Sequence, residues 1–83
     1  MSDSVSIPRP PDVVTILWER NPLRPQSPRT IVEATVIGSA DSCKLSTGTS
    51  YRKAVNCLLS NEFVRISNTC FDVFGVSVFV RVS

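Results

Sequence analysis

The chain has 83 residues, nine Lys/Arg against seven Asp/Glu for a formal net charge of +2, 42% hydrophobic residues and 19% charged ones. One domain fits in that length and its apolar share suffices for a packed core, while the charge is too low for a dedicated nucleic-acid binder and of the wrong sign for an acidic DNA mimic. Histidine is absent, which removes the commonest general base, the commonest metal ligand and the usual pH switch.

No run approaches the roughly 18 apolar residues of a membrane-spanning helix. The opening MSDSVSIPRPPD has neither a basic n-region nor an apolar h-region, so no secretory signal is expected. The three cysteines, Cys43, Cys57 and Cys70, are widely spaced and form no C-x-x-C pair. An odd number without a signal points to reduced thiols in the cytoplasm, serving as small hydrophobes rather than as zinc ligands.

All six prolines fall between Pro8 and Pro28. Residues 1–11 read as a flexible N-terminal tail, because serines and the Pro-Arg-Pro-Pro run favour extended, solvated backbone. A single domain is expected over 12–83. After Asp12, the β-branched run Val13–Glu19 predicts a strand. Its alternation puts Val14, Ile16 and Trp18 on the core face. Residues 20–29 form a connection with three prolines and three arginines, Arg20, Arg24 and Arg29, where proline stops ladder pairing. Thr30–Ile37 is a second strand, with Val32, Ala34 and Val36 alternating against Ile31, Glu33, Thr35 and Ile37. The segment 40–48 is polar and irregular.

Thr49 or Ser50 is placed to cap a helix that runs to about Ser60. Tyr51, Ala54, Val55, Leu58 and Leu59 form its apolar stripe, and Asn61 is expected as a left-handed C-cap. Phe63–Ser67 predicts a third strand, Asn68-Thr69 a turn, and Cys70–Phe74 a strand or the beginning of one, with Gly75 permitting a bend. Val76–Val82 is the last strand. Its four valines are expected beneath the helix, which turns Phe79 outward together with Leu17, Ile31, Ile37 and Phe63. The expected fold is α+β: an antiparallel sheet of about four strands with one amphipathic helix on one face, in the order ββαββ.

Catalytic arrangements fail on composition. No histidine activates a serine or cysteine, no G-x-S-x-G window exists, and the three glycines, Gly38, Gly48 and Gly75, make no phosphate-cradling pattern. The carboxylates stand singly. No enzyme activity, cofactor or metal site is expected, and function is expected to rest on binding. The contact residues singled out are Arg20, Arg24 and Arg29 in the loop with Phe79 and Arg81 on the open face, since arginine and aromatic side chains make favoured anchors.

The order of elements resembles that of small phage-encoded anti-CRISPR proteins: the Val13-Val14-Thr15-Ile16 strand, a proline-rich turn, a second strand, a glycine- and serine-bearing stretch, one helix and returning strands. The resemblance implies a cytoplasmic inhibitor that occupies a surface of a host CRISPR effector complex and performs no chemistry. Many such proteins are acidic DNA mimics, whereas this chain is mildly basic. Two alternatives stand beside it. One is a module for RNA or single-stranded DNA that stacks bases on the open face with Phe63, Arg65, Phe79 and Arg81. The other is a homodimeric structural protein joined through that face.

Overall fold

The computed structural model describes residues 10–24, 26–40 and 42–82. Most of the expected tail, residues 1–9, lies outside the described residues, and Pro10 and Pro11 are exposed. Strands β1 (Asp12–Glu19) and β2 (Thr30–Ile37) are followed by helix α1 (Tyr51–Ser60) and strands β3 (Val64–Phe71) and β4 (Phe74–Arg81). The sheet is antiparallel throughout, in the order β2-β1-β4-β3. The chain thus leaves one edge at β2, crosses one face as α1, and enters the opposite edge as β3. This is the expected ββαββ architecture.

The helix begins where expected. Ser50 is the N-cap, and its hydroxyl accepts from the Lys53 N–H. Tyr51, Ala54 and Leu58 are buried against the sheet, Val55 and Cys57 are half-buried, and Leu59 is 51% exposed. At the other end Asn61 has φ −101°, so it is not the expected left-handed residue; Glu62 takes that conformation with φ 70°. Asn61 still closes the helix, because its Nδ2 donates to the Cys57 carbonyl at 2.8 Å.

In β1, Asp12, Val14, Ile16 and Trp18 are buried on the helix side, as the alternation required. The closing strand has the opposite phase from the expected one. Phe79 and Ser77 are fully buried, while Val76, Val78 and Val80 are half-buried on the uncovered face. Two features set this phase. Gly75 lies opposite Trp18, and a Cβ there would come within 2.3 Å of the indole, so only glycine lets the ring lie across β4. Ser77 is the hub of a buried polar group. Its Oγ accepts from Trp18 Nε1 and Tyr51 OH and donates to Asn68 Oδ1. One donation and two acceptances use a serine hydroxyl completely.

Four further expectations are corrected. The register shifts between Leu17 and Trp18, so one residue of β2 is extra and Ile31, expected outside, is buried opposite Trp18. Phe63, also expected outside, is buried. No turn occurs at Asn68-Thr69: β3 continues to Phe71, and the hairpin turns at Asp72-Val73, with Asp72 at φ 59°. Finally, Cys43 and Cys57 form a disulfide with a Cα–Cα distance of 5.7 Å, and Cys70 is the free, exposed thiol. Fully reduced thiols are therefore not what the structure holds, and cysteine usage no longer argues for the cytoplasm. Among the described residues no helix is long and apolar enough to cross a membrane.

Candidate functional site

The proline-rich connection is ordered by its own backbone. Asn21 opens it with a side-chain bond from the Leu23 N–H to Oδ1, and the Arg24 N–H returns to the Asn21 carbonyl at 2.9 Å. Pro22 stands at the second position of that turn, which proline favours. A second turn follows, from the Ser27 N–H to the Arg24 carbonyl, and the Ser27 hydroxyl accepts from the Asn21 N–H. The loop is tied to the body at both ends, through Arg20 N–H to the Val73 carbonyl and through the Tyr51 N–H to the Arg29 carbonyl.

This folded loop forms one wall of a cleft of about 650 Å³, with α1 and the edge strand β3 as the others. Arg20 and Arg29 enter it from the loop, Arg52 from the helix and Arg65 from β3. Gln26, Ser27, Ser50 and Asn56 supply neutral polar groups, and none of the described lining residues is a carboxylate. Arg29 is the anchored member. Its guanidinium lies 5.0 Å from the ring centroids of both Trp18 and Tyr51, which are themselves 5.6 Å apart. Such cation–π contact fixes the group with its charge intact. Arg24 lines an adjacent hollow that shares Gln26, Ser27 and Pro28 with the cleft.

Of the five expected contact residues, the structure brings Arg20 and Arg29 into one site and leaves Arg24 beside it. Phe79 and Arg81 do not join them. Phe79 is in the core. Arg81 also lies on the helix side, opposite Asp12, and clamps that buried carboxylate: Nε and Nη2 reach Oδ2 at 2.9 and 2.8 Å. Nη2 and Nη1 also donate to the Ser39 and Asn61 carbonyls, and the group stacks 4.5 Å above Phe63. The proposed stacking platform of Phe63, Arg65, Phe79 and Arg81 is therefore absent, because both rings are interior. Arg52 stands in neither expected contact set, and Arg65 only in that of the nucleic-acid alternative. Helical spacing does put Arg52 and Asn56 four apart on the polar side, but only the crossover from one sheet edge to the other brings Arg65 to them.

Among the described residues no three His, Cys, Asp or Glu side chains gather as a metal group. No family model matches the chain, and neither the curated proteins nor the solved structures offer a match to it.

Proposed function

We propose that the protein is a non-enzymatic inhibitor, of phage or mobile-element origin, that binds and blocks a host protein assembly, and that the arginine cleft is its docking surface. The observation that supports this is the convergence of Arg20, Arg29, Arg52 and Arg65 on one groove whose described lining residues include no carboxylate. A concave site whose described charged residues are all arginine favours an acidic partner surface. Arginine also presents a planar donor fork that engages carboxylates two bonds at a time. The resemblance to anti-CRISPR proteins supplies the class of partner, a CRISPR effector complex.

The test uses Arg52→Glu with Arg65→Glu, both exposed and therefore expected to leave folding within about 0.5 kcal/mol. The wild-type chain should protect a targeted plasmid in cells that carry a CRISPR system and should capture the effector from them. The double variant should lose protection and weaken capture at least about a hundredfold. Capture that survives both reversals places the interface elsewhere. Protection failing against every CRISPR type tried ends the anti-CRISPR reading.

A second reading has a phosphate backbone of single-stranded RNA or DNA in the same cleft, favoured by the four guanidinium groups alone. Trp18 and Tyr51 are buried beneath Arg29, so bases have no aromatic surface there to stack on. Three phosphates neutralised by Arg29, Arg52 and Arg65 would give a logarithmic salt slope of about −2; no affinity at low salt ends this reading.

A further inference from the structure

The face of the sheet that α1 leaves uncovered is described by four cross-strand rows. From β2 to β3 they are Ile37, Val13, Val80, Val64; then Thr35, Thr15, Val78, Ser67; then Glu33, Leu17, Val76, Thr69; then Thr30, Glu19, Phe74, Phe71. The first row is wholly aliphatic. On the two central strands five of the six positions in the first three rows are Val or Leu, and the sixth is Thr15. Carboxylates stand only at the margin, Glu33 on the edge strand and Glu19 in the end row. Phe71 and Phe74, 53% and 45% exposed, stack at that end with centroids 5.7 Å apart. An apolar centre with a polar rim is the anatomy of an interface rather than of a solvated sheet.

We infer that this face is buried against the same face of a second copy of the chain. Three observations choose that occupant. The first is size. Four strands of eight residues span roughly 19 by 26 Å, or about 500 Å² per copy in plan. Two copies would then bury about 1,000 Å² before side-chain relief is counted, which meets the floor expected of a biological interface. The second is self-complementarity. A two-fold axis parallel to the strands lays β1 over β4 of the other copy. Val13 then meets Val80, Thr15 meets Val78 and Leu17 meets Val76, while Glu33 falls opposite Thr69 and Glu19 opposite Phe74, so no carboxylate faces another. The third is the absence of charge at the centre, which gives a differently charged partner nothing to match. Two sheets packed in this way make a four-layer helix–sheet–sheet–helix body, with the sheets about 10 Å apart.

The arginine cleft lies on the helix side, so this inference does not rest on the function proposed for it. Sedimentation of the full chain from 1 to 500 µM (about that range suffices for a standard interface) should show twice the 9.1 kDa chain mass. Val78→Lys should raise the dissociation constant at least a hundredfold. Val36→Lys, the same change at an exposed position on the other side of the sheet, should leave the mass unchanged, and so should the Arg52→Glu, Arg65→Glu pair. If Val78→Lys fails to fold, the wild-type chain decides alone. A soluble paramagnetic agent should spare the methyl groups of Val13, Val76, Val78 and Val80 in a dimer. Three results overturn the inference: a monomer at the highest concentration, a dimer whose open-face methyls are attacked, as pairing through the β2 or β3 edge would give, or a monomer whose methyls are spared, which would place residues 1–9 on the face.

Discussion

Ser77 and Asp12 are the two buried polar side chains of the described residues, and the fold is organised around satisfying them. Ser77→Ala deletes the acceptor for Trp18 Nε1 and Tyr51 OH and the donor to Asn68 at once. Two buried groups are then left without their partner, and a loss of about 2–4 kcal/mol in urea unfolding is expected. A loss under about 0.5 kcal/mol would show that water replaces the hydroxyl freely. Asp12 depends on Arg81 more heavily. The carboxylate is 4% exposed and the guanidinium 25%, so Arg81→Ala takes the guanidinium from a buried carboxylate that the Ser39 N–H still reaches at 3.0 Å. Removing one partner of such a buried pair costs about 3–5 kcal/mol. The same variant, at a temperature where it remains folded, should still capture the partner, since Arg81 does not line the cleft. Lost capture with unchanged stability would make it a contact residue after all.

The crossing helix is held at both ends and in its last turns. Thr30 and Ser50 bridge, the Gly48 and Ile31 N–H groups trade bonds with the Ile31 and Thr49 carbonyls, and the Cys43–Cys57 disulfide fastens the preceding loop to the helix. Closing a loop of about 15 residues is worth about 3 kcal/mol, chiefly through the unfolded chain. Cys43→Ser with Cys57→Ser should lose that amount, and a reductant should lower wild-type stability to the level of the double variant. Equal stability with and without reductant would show that the bond contributes nothing. The helix, with its Ser50 cap and apolar stripe, was legible in the sequence because capping and periodicity are local. So were the two faces of β1. The phase of β4 was not: Ser77 and Gly75 read as solvent-facing and breaking residues until Trp18, 59 positions from Ser77 along the chain, supplies the indole that needs both. β3 was cut short because Asn68 and Thr69 resemble a turn, although an edge strand exposed along its whole length tolerates them. The cleft was half legible. Arg20 and Arg29 stand out within a proline loop, but their neighbours Arg52 and Arg65 join them only through the topology.

At the scale of the molecule, the arginine cleft lies on the helix side and the apolar rows on the open face, so the two proposed surfaces can be tested independently. A dimer formed through the open faces directs its two clefts outward and gives the protein two docking sites on one rigid body. That arrangement links folding to concentration. If the chain unfolds from a dimer, a hundredfold rise in protein concentration adds about 1.4 kcal/mol of stability per chain by mass action. For a domain of this size that corresponds to an increase of roughly 5–10 °C in Tm. Val78→Lys, monomeric throughout, should melt at one temperature across the same range, whereas the Arg52→Glu, Arg65→Glu pair should keep the full dependence. Partner capture should separate the variants the other way: the arginine pair loses it, while Val78→Lys retains one site per chain and dissociates faster from a densely immobilised partner, because the bivalent hold is gone. A wild-type Tm that ignores concentration would mean each open face is stable in water by itself, and the two clefts would then act singly.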